Sequence, residues 1–213
     1  GGEGETEKGG RGGAIYGTAN VTLNNGYIGY DYINGDFIEK LNDETWTVSD
    51  SIGRLKDYGN IFGGGYSDKS NVDETNVVMW GGVVRGSVHG GAEIAAIGRG
   101  ETTESGEVNH IRTFGKITKP GKTHVTMYNG HVKRNVFGGG KGYNVLGFGG
   151  SNDLYTYGYV FGQTEVYIHG GEIGTAEAVK EGKNYGNVFG GGDLGYVYSK
   201  GFDNTKTKDG KDD

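Results

Sequence analysis

The sequence predicts an all-β protein, wound as a parallel β-solenoid of four irregular repeats with loop insertions. Three observations carry that expectation. An octet of pattern V-x-aliphatic-x-(N/G)-G-x-(V/I) occurs four times without gaps: VTLNNGYI from Val21, VVMWGGVV from Val77, VTMYNGHV from Val125 and VYIHGGEI from Val166. A second segment follows each octet, as NIFGGG from Asn60, NVFGGG from Asn135 and again from Asn187, and in degraded form as SVHGGA from Ser87 to Ala92. Glycine supplies 47 of 213 residues against a single proline, Pro120, far above the roughly 7% of ordinary chains.

The octet is a strand followed by a turn. Val125 and Met127 alternate with Thr126 and Tyr128, the period of a half-buried strand, and the Asn-Gly or Gly-Gly pair then redirects the chain. The same dipeptides are preferred at the centre of two-residue hairpins, so an antiparallel hairpin array is the alternative. Very short strands and glycines at equivalent places favour the parallel winding, since hairpin arrays need longer strands to bury a face. Octet starts lie 56, 48 and 41 residues apart. The shortest spacing suits two coils of about 20 residues per repeat.

The glycine segment is a corner. Stacked strands run about 4.8 Å apart, and tight corners exclude a Cβ and often need left-handed backbone angles, which is the expectation for Gly64, Gly139 and Gly191. Asn60, Asn135 and Asn187 are expected to form an amide ladder, and Phe62, Phe137 and Phe189 a ring stack. Asn and Phe share one face of an extended strand, opposite Val or Ile, and the pattern leaves open which face is inside.

Spacing separates the fixed parts of the repeat from the variable ones. Two residues join octet to glycine segment in the second and third copies, thirteen in the fourth, and thirty-one, residues 29–59, in the first. Insertions at one place in a repeat become loops on one side of the stack. The long one carries a turn signal at Asn34-Gly35 and Trp46 in a β-prone run, consistent with a projecting hairpin. A helix-compatible stretch, Thr175 to Gly182, lies in the fourth insertion. Residues 1–13 read as a glycine-rich charged leader, 14–200 as the repeat domain and 201–213 as a polar tail. Such ends suit a piece of a longer protein whose neighbouring domains or subunits cap the stack.

Composition excludes several function classes. A net charge of −6 opposes a sequence-independent grip on nucleic acid, which needs clustered Lys and Arg. No apolar run approaches the 18 or so residues of a membrane span, and no charged-then-apolar leader is present. With no cysteine there is no disulfide, Cys-ligated zinc or thiol nucleophile. The stretch GKITKPGKT, Gly115 to Thr123, places five residues where a phosphate loop has four. Calcium nonapeptides fail because Tyr66 stands where a glycine is required. Tyr66, Lys141 and Asp193 follow the three triplets, so no ion ligand repeats. His89, His110, His124, His131 and His169 lack metal-binding spacing, and no cofactor or metal is expected. The carboxylate pairs Asp43-Glu44 and Asp73-Glu74 sit in polar stretches that read as loops, and a glycan-cleaving pair would require convergence between coils that one sequence does not display.

If Val and the aliphatic residue point inward, the fourth octet position places Asn24, Trp80, Tyr128 and His169 in one outward column, and the second places Thr22, Val78, Thr126 and Tyr167 in another. Trp80, Tyr128, Tyr167 and His169 are the candidate ligand-binding residues, because flat rings suit the faces of sugars. The same rings would serve equally to cover the sheet or pack beneath insertions.

The run VTMYNGHVKRNVFGGGKG from Val125, with VYIHGGEIG followed by GNVFGGGDLG, resembles the glycine-rich repeat regions of large secreted or surface-anchored adhesin-like proteins of gut anaerobes. The likeness covers about Ile15 to Gly195. It implies an extracellular or cell-surface setting and a right-handed β-helix-like build, and it transfers no functional residue. The expected function is a non-catalytic, rigid adhesin-like display scaffold with capacity for glycans or host-surface proteins. A β-helix polysaccharide lyase or hydrolase and a self-assembling structural repeat are the alternatives.

Overall fold

The computed structural model describes residues 13–29, 31–33, 36–38, 59–66, 70–103, 113–142, 145–146, 154–155, 158–176, 180 and 182–199. The leader up to residue 12, Trp46 with most of the first insertion, half of the helix-compatible stretch (177–179 and 181), and the tail lie outside them. The regular structure of the described residues is almost all strand, and its larger sheets are three parallel ones. The first sheet holds Ile15–Leu23, Val72–Met79, Gly121–Met127, Val160–Ile168 and the short Val197–Tyr198, in that order. The second holds Tyr27–Ile28, Val83–Val84, His131–Val132 and Glu172–Ile173. The third holds Ile61–Phe62, Val88–His89, Val136–Phe137 and Val188–Phe189. Each copy gives one strand to each sheet, so four rungs lie in sequence order.

The octets are aligned by pairing, not by resemblance alone. Val21 pairs with Val77, Val77 with Val125, and Val125 with Val166, all in parallel. The octets therefore do not fold back as hairpins. Antiparallel pairs are confined to excursions: Asp31–Ile33 with Asp36–Ile38 on either side of Asn34-Gly35, Arg99–Thr103 with Thr113–Lys119, and Val145–Leu146 with Leu154–Tyr155. The last two arise between a glycine segment and the next octet, a place the spacing of the motifs did not mark. One of them splits a rung. Ile97 bridges Val72 and Val160, the chain leaves for the Arg99–Lys119 hairpin, and Gly121 resumes the strand beside Gly98.

Direct pairing of successive octets also corrects the expected period. The octets are direct neighbours in one sheet, and where nothing is inserted the chain returns from Val72 to its parallel partner Ile97 in 25 residues; two coils of about 20 would have put an intervening strand between neighbouring octets.

The open question of facing is settled by which residues join the core. Val77, Met79, Val84, Val88, Val125, Met127, Val132 and Val136 form the main core, drawn from all three sheets, so Val or Ile of the glycine segment points inward and Asn and Phe point out. Threonine completes the inside. Thr75 and Thr123 are buried, and their hydroxyls donate to the carbonyls of Gly90 and Gly138, which satisfies polar groups that burial would otherwise strand.

These contacts explain the glycines and correct one expectation. None of Gly64, Gly139 and Gly191 has positive φ. Gly64 and Gly139 are required for room: a Cβ would stand 2.7 Å from Ala92 Cβ at the first and 2.6 Å from the Gly192 nitrogen at the second, whereas at Gly191 it would meet nothing within 4 Å. Left-handed backbone instead occurs at the second turn residue of every octet, Gly26, Gly82, Gly130 and Gly171, with φ of 105°, 86°, 106° and 97°.

Candidate functional site

The outer wall of the first sheet gathers the residues with most chemistry. Every second residue of its strands points outward, so register stacks equivalent side chains from rung to rung. Trp80 lies on Tyr128 with centroids 4.0 Å apart and planes 7° from parallel, and Tyr128 on His169 at 4.9 Å and 10°. Trp80 is 52% exposed and Tyr128 40%. The predicted column therefore exists and faces solvent, with the uncharged Asn24 below it.

Its geometry differs from the expected platform in one respect. Rings stacked along the ladder cover each other's faces, so both faces of Tyr128 are engaged, by Trp80 and His169. A ligand meets Tyr128 by its edge and hydroxyl. The face of His169 turned away from Tyr128 has no neighbour from a further rung, because among the described residues no strand follows residues 163–168 on that side. Tyr167, the remaining ring candidate, packs at 36° against His124 with centroids 5.1 Å apart and is exposed.

Beside the rings runs a chain of polar contacts. Lys122 Nζ lies 2.8 Å from Glu165 Oε1, His124 Nδ1 lies 3.1 Å from Glu165 Oε2, and Thr126 Oγ1 lies 2.9 Å from His124 Nε2. Hydrogen bonds from Lys122 and then from His124 hold the Glu165 carboxyl below the usual carboxylate range. A hydroxyl, imidazole and carboxylate in line have the order of a nucleophile relay. Two facts oppose that role. Thr126 is buried, and its strand is paired on both sides, with Val160–Ile168 and Val72–Met79, which commits the backbone N–H groups that an oxyanion hole would need. The chain instead fixes the His124 ring against Tyr167. The alignment of KTHVT with QTEVY, each beginning three residues before its octet, was the signal that could have found it.

The third sheet carries the corner ladder. Asn60 Oδ1 accepts from Ser87 N at 2.7 Å, Ser87 Oγ from Asn135 N at 3.3 Å, and Asn135 Oδ1 from Asn187 N at 3.0 Å. The degraded copy keeps the device, with a serine hydroxyl in place of the amide. Phe62, His89, Phe137 and Phe189 stack continuously at 4.8 to 5.0 Å, His89 substituting for phenylalanine. A cleft of about 430 Å³ follows this column, lined by Asn135, Phe137 and Phe189 with Arg134, Tyr185 and Asp193. The Arg134 guanidinium lies over the Tyr185 ring.

Among the described residues no group of three His, Cys, Asp or Glu is placed to hold a metal ion, and no helix is long and apolar enough to cross a membrane. No family model, curated protein or solved structure matches the chain.

Proposed function

We propose that the chain is a β-solenoid display element of a secreted or cell-surface protein, whose first-sheet wall takes up glycan chains along the Trp80–Tyr128–His169 column. Cyclic use of three parallel sheets, one strand per sheet in each copy, supports the winding, and the strong preference of parallel crossovers for one hand makes it right-handed. The observation that carries the binding reading is a column of three aligned, solvent-facing rings from three rungs. Their edges offer the indole N–H, the phenol O–H and an imidazole nitrogen at intervals set by the rung spacing, a row suited to the hydroxyls of a polysaccharide. The outer face of His169 and the exposed Tyr167 ring supply apolar surface for a sugar at the last rung.

Trp80 reports directly on this wall. The chain has two tryptophans, so Trp46→Phe leaves Trp80 as the sole indole. Titration with a panel of neutral and acidic oligosaccharides is expected to give a saturable change in its fluorescence for at least one, and Tyr128→Ala together with His169→Ala is expected to abolish it. The binding reading fails if no member of the panel gives saturation, or if the double variant binds as well as its parent.

A further inference from the structure

Among the described residues the last rung is an open end with the character of an interior. Val188 is 46% exposed where Val88 and Val136, its counterparts in the rungs below, are 2% and 1% exposed; Ile168 is 40% exposed where Met127 is 1%. Among the described residues nothing pairs the free edges of residues 163–168, 172–173 and 188–189; only Val197–Tyr198 covers the start of that rung, opposite Val160 and Phe161. At the opposite end Val21, Leu23 and Ile28 are only partly buried against the core. Each end thus presents one half of the contact that every internal rung makes.

We infer that a second copy of this chain docks on the open end, its first rung continuing the ladder above the last rung of its neighbour. The inference rests on the winding proposed above and not on glycan binding. The internal repeat dictates the register. Trp80 N donates to Leu23 O, Tyr128 N to Met79 O and His169 N to Met127 O, so the next donor is Asn24 of the docking copy, onto Ile168 O. On the third sheet Gly63 N donates to His89 O, Gly90 N to Phe137 O and Gly138 N to Phe189 O, so Gly190 donates to Phe62 O of the docking copy and Phe62 stacks on Phe189. The polarity of the bonds is complementary only head to tail, a heterologous contact that repeats without closing.

Charge permits the contact. The outward residues of the first rung on the first sheet, Thr18, Asn20, Thr22 and Asn24, and Tyr27, the counterpart of Glu172 on the second sheet, are all uncharged, so Glu165 and Glu172 of the last rung meet no carboxylate. Val197–Tyr198 occupies the first two places of the new rung, and the docking strand fills the rest with Thr18–Leu23, its Ile15–Gly17 lifting away. Rung one is already jointed there, since its register with rung two shifts between Ile15 and Thr18. Rung three is likewise assembled from two segments, Ile97 and Gly121–Met127.

A chain without cysteine makes the register testable by disulfide trapping. Asn24→Cys on one molecule and His169→Cys on another would stand on adjacent rungs, within bridging distance; Thr18→Cys lies six residues along the strand, about 20 Å away. Mixing the first pair under mild oxidation is expected to give a covalent dimer in several-fold greater yield than the Thr18→Cys and His169→Cys pair. Val188→Arg, a site exposed enough in the monomer to hold the longer chain, is expected to reduce that yield in the His169→Cys molecule. Equal yields from the two pairs, or no dimer, overturn the inference. The single-chain pair Asn20→Cys/Asn76→Cys, whose native side chains touch at 3.2 Å, separates the causes: if it closes and the intermolecular pair does not, docking alone falls, and if neither closes, the winding falls with it.

Discussion

Two columns of rings climb this molecule, with the same stacking geometry and opposite surroundings. On the first sheet Trp80, Tyr128 and His169 stack at 4.0 and 4.9 Å and face solvent; on the third Phe62, His89, Phe137 and Phe189 stack at 4.8 to 5.0 Å, with the two inner rings His89 and Phe137 2% and 5% exposed and Phe189, on the last described rung, 37%. Parallel register alone imposes the stacking in both, because it brings equivalent side chains to the rung spacing. Burial is a separate variable, set by what lies over the wall. A ring column is therefore evidence of register everywhere, and of a binding surface only where it is bare.

The sharpest way to break the comparison is to truncate one ring in each column. Phe137→Ala removes a buried ring held between His89 and Phe189, and is expected to cost about 3 to 5 kcal/mol, as for large core aromatics. Tyr128→Ala removes a half-exposed ring and its stacking, about 1 kcal/mol, while weakening the ligand response. Chemical denaturation of both variants checks the contrast. Similar losses from the two would show that the first-sheet column is a structural wall after all.

A substitution that forces rungs apart should damage both columns together. The first glycine of the segment is the place. At Gly63, Gly90 and Gly138 alike, a Cβ would run into the carbonyl oxygen of the equivalent glycine one rung on, Gly90, Gly138 and Gly190. Gly138→Val is expected to destabilise by about 1 to 3 kcal/mol through overpacking, and to perturb the near-ultraviolet dichroism of the rings more than Tyr128→Ala does.

Charge offers a clamp that differs from ring burial in its response to acid. Asp73, expected in a loop, is instead buried in the strand Val72–Met79, paired with Arg99 at 3.0 Å and with Lys119 at the base of the hairpin that splits rung three. Burial pushes its carboxyl up, but the hydrogen bond from Lys119 and the charges of Arg99 and Lys119 prevail and hold it below its ordinary value of 3.8. A lowered native pKa means a contribution present above the ordinary value and lost as pH falls through the native one. Asp73→Asn is expected to cost about 1.5 kcal/mol at neutral pH, since both cations are partly hydrated already. The gap in melting temperature between parent and variant should narrow below pH 3.8. A gap constant down to pH 2 would assign the loss to packing.

What could be read in advance follows the same division between register and covering. Four octets and three NVFGGG-type segments announced equivalent rungs, because the residues that repeat are those whose contacts repeat: Val125 and Met127 inside, Asn135 at the corner, Gly138 where two backbones meet. The outward column of Trp80, Tyr128 and His169 was legible for that reason. The burial of Phe137 was not, since it depends on neighbours outside the repeat. Nor was the hairpin from Arg99 to Lys119, which interrupts a strand at Gly98 and Gly121 without disturbing the motifs on either side. The circuit length was misjudged because insertions dilate the spacing of the octets. The relay of Lys122, His124, Thr126 and Glu165 escaped notice because its members come from two rungs and are joined only by pairing.

The smallest expected effect separates the glycines that geometry requires from those the repeat merely carries. Gly191 occupies the same place in its segment as Gly139, yet its rung is the last, its φ is not positive, and a Cβ there meets nothing within 4 Å. Gly191→Ala should therefore stabilise the chain, by about 0.4 to 1 kcal/mol, through the reduced freedom of the unfolded state. Gly139→Ala, blocked by the Gly192 backbone of the next rung, should destabilise it. Where a second copy is docked, Gly191 acquires the crowding that Gly139 already has, and the added methyl becomes a liability. A variant that is more stable as a monomer and poorer at cross-linking through the Asn24→Cys and His169→Cys pair would tie the open end to the interior contacts it resembles; stabilisation with undiminished cross-linking would place the docking copy elsewhere.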